Sequence, residues 1–151
     1  MPAQPSPETH TTPAPAAAFG QPLRVYWEDT DAGGVVFHAN YLKFFERART
    51  EWLRALGFSQ QQMLQGEGVV FVVVAASLRC LGAARLDDQL RITVELADAG
   101  RASLRIRQQA WRGAELLAEG EIRIGCIDAK DTTATSFRPC RIPAAILHAI
   151  T

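Results

Sequence analysis

Three carboxylates and two glycines lie close together near the start of the chain, in residues 28–34 (EDTDAGG). An alternating segment precedes them and a long amphipathic segment follows. Asp31 is therefore predicted to lie at a turn between a strand and a helix. A helix start presents N–H groups without intrahelical acceptors and the positive end of the helix dipole. A carboxylate beside such donors could attack a carbonyl while the N–H groups stabilise the oxyanion that forms.

Each of these residues also has an ordinary structural interpretation. Asp31 could be a turn or capping residue, which is a common role for Asp. His38, taken alone, is more often a hydrogen-bonded cap or a core residue than a catalytic base. Glu28, Asp29 and Asp31 could form a hard-cation site, but nothing else in the sequence supports a full ligand shell. Spacing by itself therefore leaves catalysis by Asp31 open.

Common active-site patterns are absent from the sequence. It contains no GxSxG, P-loop, GxGxxG or HExxH pattern. The histidines His10, His38 and His148 are far apart, which argues against a zinc site. The sequence therefore predicts neither a metal nor a cofactor.

A long amphipathic helix is predicted directly after the Gly-Gly turn. Apolar residues recur every three or four positions along one face. They are Tyr41, Phe44, Phe45, Ala48, Trp52, Ala55 and Leu56. Gly57 suits the C′ position that ends such a helix, and either His38 or Asn40 is the predicted N-cap.

Five strands are predicted around this helix, with a helical extension at 60–64 and a short C-terminal piece at 143–150. The strands fall at 23–28, 69–80, 90–96, 104–111 and 116–127. The second begins with a β-branched apolar run, 69–76, which is typical of a buried strand. Short turns join most of the later strands, so these should be antiparallel neighbours. One helix packed on one antiparallel sheet is an α+β arrangement.

Composition narrows the class of protein. The chain has 151 residues, so one domain is expected. It has 16 Lys plus Arg and 16 Asp plus Glu, so its net charge is near zero and would not attract nucleic acid. No apolar run approaches the roughly 18 residues of a membrane span, and no secretory signal is recognisable. The cysteines Cys80, Cys126 and Cys140 form no CxxC pair. They are interpreted as reduced structural thiols of a cytoplasmic protein.

Residues 1–20 differ in composition from the rest of the chain. They are rich in Pro, Ala, Thr and Ser and show no periodicity, which predicts a disordered tail. The folded domain is expected to span 21–151.

The run from Tyr26 to Arg49, YWEDTDAGGVVFHANYLKFFERAR, closely resembles the signature of hotdog-fold acyl-CoA thioesterases. It is most similar to the YbgC branch, which is associated with the Tol-Pal system and related to 4-hydroxybenzoyl-CoA thioesterases. The resemblance extends over roughly 22–142. Trp27 and Phe37 depart from it mildly, because the family often has tyrosine there. The resemblance implies a hotdog fold, in which a five-stranded antiparallel sheet wraps around one long helix.

The resemblance also implies roles for individual residues. The catalytic acid of the family is the second aspartate of its D-x-D pair, which is Asp31 here and not Asp29. The backbone N–H at His38 would polarise the thioester carbonyl. The implied reaction is hydrolysis of an acyl-CoA to free acid and CoA, with Asp31 as nucleophile or general base and no cofactor. The alternative is a binding module for acyl-CoA or acyl carrier protein with weak hydrolysis.

An assembly of identical subunits is expected as well. One helix cannot cover both faces and both edges of a five-stranded sheet, and an exposed apolar strand such as 69–76 would be a poor free edge. Hotdog relatives pair two subunits into one continuous sheet with the active sites between them, which implies a homodimer or homotetramer. Guanidinium groups suit the phosphates of CoA. The candidates are Arg85, Arg101, Arg105, Arg138 and Arg141.

Overall fold

The computed structural model describes residues 19–130 and 136–151, which form one antiparallel sheet and three helices. The strands are β1 (Phe19–Arg24), β2 (Val69–Cys80), β3 (Gln89–Ala99), β4 (Ser103–Arg112) and β5 (Glu115–Asp128). The helices are α1 (His38–Ala55), α2 (Gln60–Gly66) and α3 (Ala144–Ile150). The order of the five strands across the sheet is β1-β3-β4-β5-β2. The predicted α+β class with five strands is confirmed.

The core lies between α1 and the concave face of the sheet. Phe44, Phe45 and Ala48 of α1 are almost fully buried there. Burial of a phenylalanine of this kind is worth roughly 1.5–3 kcal/mol. The sheet can bend closely around the helix because Gly120 has no side chain: a Cβ at this position would run into the carbonyl of Ser77 and approach the ring of Phe45.

The start of α1 differs from the sequence prediction. Its N-cap is Phe37, which offers no side-chain acceptor, and His38 is the first helical residue. The prediction of His38 or Asn40 as the cap is wrong because Asn40 turns its side chain toward Asp29 instead. At the other end Gly57 follows the C-cap with a φ of 92°, as predicted for C′.

The first strand is also displaced from its predicted position. β1 begins at Phe19, which pairs with Val94 of β3, so a tail that reaches residue 20 is two residues too long. Residues 1–18 of that predicted tail lie outside the described residues. The strand ends at Arg24, and Trp27–Asp29 form a 3-10 turn where the alternation predicted extended chain.

β2 extends to Cys80 as predicted but is not a buried strand. It lies at the edge of the sheet, and its middle is exposed, with Val73 and Val74 at 47% and 46%. A β-bulge interrupts its pairing with β5 between Val73 and Ala75. The opposite edge is β1, which contains Pro22 and therefore lacks one N–H for pairing with a further strand. The sheet therefore has an apolar edge at β2 and, at β1, an edge that proline makes less able to pair with another strand.

Candidate active site

The Asp31 carboxylate lies in a tight turn between the 3-10 turn and α1. The Asp31 N–H donates to the carbonyl of Val35 (2.9 Å), and the Gly34 N–H donates to the carbonyl of Asp31 (3.0 Å). Gly34 has a φ of 78°, a conformation that favours glycine. One carboxylate oxygen, Oδ1, accepts from the Gly33 N–H at 2.8 Å. The side chain is exposed, so its orientation is fixed while it remains accessible to a substrate.

The neighbouring carboxylate, Asp29, is buried and has a structural role. Its two oxygens accept hydrogen bonds from the Tyr26 N–H (2.8 Å) and from Nδ2 of Asn40 (3.0 Å). Its carbonyl accepts from the Phe37 N–H at 2.9 Å. Asp29 therefore ties the 3-10 turn to the first turn of α1 and fixes the loop that carries Asp31.

The helix start lies on the same loop. In an α-helix the N–H of the first residue, here His38, has no intrahelical acceptor, and Phe37 supplies no side-chain cap. The imidazole of His38 is exposed and lies against the Phe37 ring, with centroids 4.6 Å apart. Thr30 forms an antiparallel bridge with Val36 across the loop, which joins the Asp31 turn to the segment that leads into the helix start.

A second loop, residues 82–88, is hydrogen-bonded to the Asp31 loop. The Val36 N–H donates to the carbonyl of Ala84 at 2.8 Å. Asp88 in turn accepts from the Arg85 N–H (2.8 Å) and from Nη1 of Arg112 (2.6 Å). Partial desolvation raises the pKa of Asp88, but these hydrogen bonds and the two arginine charges outweigh it and the pKa falls below its ordinary value. We call the pair of Asp88 and Arg112 a brace; the sequence does not reveal it, because the two residues are 24 positions apart.

Three exposed aromatic side chains belong to the segments on either side of the Asp31 turn. Trp27 is 81% exposed, Tyr26 61% and Phe37 43%. Exposed apolar side chains beside polar groups are typical of a surface that binds a ligand or another protein. The segment around Asp31 therefore combines an exposed carboxylate, a helix start without a side-chain cap and exposed aromatic residues.

A separate cavity of about 120 Å³ lies between the C-terminal half of α1, α2 and β2. Arg49 lines it and is buried, with Nη1 donating to Oε1 of Gln108 at 2.8 Å. Burial lowers the pKa of Arg49, and the charge of Glu46 opposes this effect. Eleven residues of helix, roughly 16 Å, separate Arg49 from His38, so this cavity is distinct from the Asp31 site within one chain.

The five arginines suggested for CoA phosphates do not converge in one chain. Arg85 lies beside the site, since it bridges Val35 of the Asp31 loop. Arg105 lies on the outer face of the sheet, 3.6 Å from Glu121. The other three lie at the opposite end of the sheet, near the β3–β4 turn and the end of β5: Arg101, Arg138 and Arg141. Within the part of the chain that the structure describes, no three His, Cys, Asp or Glu side chains form a group able to hold a metal.

Comparison with known proteins identifies the family to which the chain belongs. The family model of the thioesterase-like superfamily matches residues 25–150. The chain belongs to that superfamily. Acyl-CoA thioesterase YbgC of Haemophilus influenzae is 42% identical over 130 residues, which cover 86% of this chain and 95% of the relative. The predicted relation to YbgC-type acyl-CoA thioesterases is confirmed.

Solved structures in this superfamily share the architecture. A probable thioesterase from Bartonella henselae superposes with a TM-score of 0.77 at 33% identity, covering 84% of this chain and all of that one. A 4-hydroxybenzoyl-CoA thioesterase mutant in complex with 4-hydroxybenzoyl-CoA reaches a TM-score of 0.81 over 90% of this chain and all of that one. At 18% identity this match supports the fold alone. The predicted hotdog fold is confirmed. Among the described residues, no helix is long and apolar enough to cross a membrane.

Proposed function

We propose that this chain hydrolyses the thioester of an acyl-CoA to a free acid and CoA, with Asp31 as the reacting carboxylate. The observation that carries the proposal is the contrast between the two neighbouring acids. Asp29 is buried and occupied by two hydrogen bonds, whereas Asp31 is exposed and held by only one described donor. Relatives named acyl-CoA thioesterases, at 42% identity, support the reaction class.

The mechanism follows from the groups on the loop. The N–H at His38 donates to the thioester oxygen and stabilises the oxyanion as the carbonyl carbon becomes tetrahedral. The Asp31 carboxylate either attacks that carbon, giving a mixed anhydride that water hydrolyses, or removes a proton from the attacking water. In both routes the bond from carbon to sulfur breaks and CoA leaves as a thiolate.

The test compares Asp31→Asn with Glu28→Gln on a panel of acyl-CoA esters. Glu28 is an exposed acid three residues away, so it controls for loss of charge near the site. Asp31→Asn should lower kcat by about 10²-fold or more with an unchanged Tm, while Glu28→Gln keeps near-wild-type turnover. Retained turnover in Asp31→Asn would refute the assignment. Tight binding of acyl-CoA by the wild type without turnover would instead support the binding-module alternative.

Nucleophile and general base can be distinguished by trapping. A mixed anhydride on Asp31 is an acylated enzyme, so hydroxylamine added during single turnover should give a hydroxamate on Asp31 or a hydroxamic acid. General-base catalysis leaves Asp31 unmodified. Only the hydroxamate on Asp31 is diagnostic, because hydroxylamine also converts a thioester directly to a hydroxamic acid. Intact-mass and peptide analysis of quenched samples would detect the first route.

We further propose that the active unit is a homodimer, or a homotetramer built from such dimers, in which β2 pairs with β2 of a second copy. Residues Val73–Ala76 at this edge are exposed and uncharged, whereas the β1 edge carries Pro22. If the 12 residues of two antiparallel β2 strands pair along their full length, Cys80 of one subunit lies beside Val69 of the other. The Asp31 loop is near the Cys80 end, so the partner would close the site.

This pairing also brings basic groups from the second copy toward the site. The backbone of Arg138 pairs with Asp128, which is the β5 partner of Val69. In the dimer, the partner's Arg138 region therefore lies near Arg85 of the first subunit. These arginines are the proposed contacts for CoA phosphates, which guanidinium forks recognise well.

We also propose a cytoplasmic setting for the protein. An acyl-CoA substrate and three free cysteines support a cytoplasmic protein. The resemblance to YbgC-type relatives supports a role linked to the Tol-Pal system and acyl carrier protein as a further acyl donor. Turnover of acyl carrier protein thioesters beside acyl-CoA esters would test the latter.

A further inference from the structure

Two of the three cysteines, far apart in sequence, are neighbours in the fold. Cys126 is near the end of β5, and Cys140 is in the segment that leads to α3. Their sulfur atoms are 3.5 Å apart. The Cys140 N–H donates to the carbonyl of Cys126 at 2.9 Å, and Ile127 forms an antiparallel bridge with Pro139. The two cysteines are therefore opposite residues of a short antiparallel pair.

This backbone arrangement suits a disulfide. Opposite residues that share a hydrogen bond in an antiparallel pair have Cα atoms about 5.5 Å apart. Disulfides form over Cα separations of roughly 4.4–6.8 Å, with a sulfur–sulfur bond of about 2.05 Å. Because the thiols are already 3.5 Å apart, small side-chain rotations can close the remaining gap.

The two thiols differ in accessibility. Cys140 is partly exposed, whereas Cys126 is buried. Burial, together with the hydrogen bond and charge of Cys140 and the charge of Glu67, raises the pKa of Cys126 to about 12. Cys140 is therefore the first of the two thiols to react with a reagent from solution. Once Cys140 has reacted, its charge and hydrogen bond no longer raise the pKa of Cys126.

We propose that Cys126 and Cys140 form a modification site, at which a low-molecular-weight disulfide oxidises the pair to an intramolecular disulfide. The Cys140 thiolate attacks one sulfur of the reagent, breaks its S–S bond and releases one reagent thiol. Cys126 then attacks Cys140 Sγ, breaks the mixed disulfide and releases the second reagent thiol. Two protein thiols lose two electrons and two protons, and the reagent disulfide gains them.

The new bond would tie the C-terminal segment to the sheet. That segment already contributes Ile142 and Ile146 to the core, and the Ile142 N–H donates to the carbonyl of Arg101 at 2.8 Å. A disulfide between Cys126 and Cys140 closes a loop of about 15 residues, which should raise Tm on the order of 10 °C.

The experiment uses the full chain with Cys80→Ser, which removes the exposed third thiol. After treatment with oxidised glutathione, the protein should lose both remaining free thiols and the mass of two hydrogen atoms, with no glutathione attached. Peptide mapping should find Cys126 linked to Cys140, and dithiothreitol should restore the original mass and Tm. This readout needs no acyl-CoA activity, so it is independent of the proposed function.

Two matched variants test the order of events. With Cys126→Ala in the same background, glutathione should remain attached to Cys140. With Cys140→Ser, the buried Cys126 should stay free. A stable glutathione adduct on Cys140 while Cys126 is present would overturn the proposal. So would two free thiols after an exposure that leaves glutathione on Cys140 of the Cys126→Ala variant.

Discussion

Two aspartates separated by one residue have opposite surroundings in this protein. Asp29 is 4% exposed and satisfies a backbone N–H and a side-chain amide, whereas Asp31 faces solvent from a glycine turn. Their chemistry is the same, so only their surroundings distinguish them. The sequence resemblance named Asp31 as the candidate for catalysis, but the difference in surroundings, with Asp29 hydrogen-bonded by Tyr26 and Asn40, follows only from the tertiary fold.

Replacement of Asp29 should therefore affect stability more than chemistry. In Asp29→Asn an NH₂ group takes the place of one acceptor oxygen and faces a donor, either the Tyr26 N–H or Asn40 Nδ2. The free energy of unfolding should fall by about 1–3 kcal/mol, with a milder loss of turnover than in Asp31→Asn. Urea denaturation measures the change, with the exposed Glu28→Gln as the control. Equal stability of both variants would contradict the structural role of Asp29.

At the scale of elements, periodicity predicted most of what is observed. The 3-4 spacing of aromatic residues in α1 and the strict alternation of β3 reflect burial of one face, which a sequence shows directly. The 3-10 turn at Trp27–Asp29 was missed because hydrogen bonds to Asp29 override an alternating pattern. The exposure of β2 was missed because a β-branched apolar run does not indicate whether its strand is central or at the edge of a sheet. Pairs distant in sequence, such as Arg49 and Gln108, follow only from the tertiary fold.

The brace of Asp88 and Arg112 should make stability depend on acid pH. The pKa of Asp88 is lower in the folded state than in the unfolded state, so its charged form favours folding. This contribution is complete above the unfolded value of about 4 and disappears as the pH falls through the folded value. Wild type should exceed Asp88→Asn by about 1 kcal/mol at pH 7, and the gap should close below about pH 4.

Urea denaturation from pH 7 to pH 3 measures this difference. Asp87→Asn is the matched control, because Asp87 is the adjacent acid, is exposed and has a φ of 68°, which asparagine tolerates. A gap between wild type and Asp88→Asn that is constant with pH would refute the electrostatic origin of the brace.

The buried pair of Arg49 and Gln108 joins α1 to the sheet. Gln108 is fully buried, accepts from Arg49 and donates to the carbonyl of Phe45. Arg49→Met should cost about 1–3 kcal/mol because it leaves an acceptor of Gln108 unpaired. Gln108→Met should cost more, since a buried charge then loses its partner. A double-mutant cycle measured by chemical denaturation should show that the double variant loses less than the sum. Additive losses would mean that the pair is not coupled.

At the scale of the whole molecule, truncation should locate the boundary of the folded domain. Removal of residues 1–18 should leave Tm and turnover nearly unchanged, as the composition of that segment predicts. Removal of residues 1–24 also deletes β1, whose six residues pair with β3, and should lower Tm strongly. Thermal melts of the two truncated proteins decide the matter. A large loss in the shorter deletion would show that the segment before Phe19 supports the fold.

The exposed edge strand β2 is expected to pair with another strand. An edge with Val73, Val74, Ala75 and Ala76 exposed is a template for pairing with another strand, and natural monomers usually block such edges with charges or proline. β1 has that protection in Pro22, whereas residues 73–76 of β2 carry neither a charge nor a proline. A second copy is the simplest partner, because a two-fold axis at the middle of β2 satisfies both edges at once.

Val73→Lys should therefore convert the assembly to monomers at micromolar concentration. Gln21→Lys puts the same charge on the β1 edge and should leave the assembly intact. Light scattering gives the masses, and acyl-CoA turnover of the same samples shows whether the site needs its partner. Since the Asp31 loop lies near the Cys80 end of β2, the monomeric variant should lose most of its activity although its Asp31 turn is unchanged. A monomeric wild type with full turnover would refute both the shared sheet and the placement of the site between subunits.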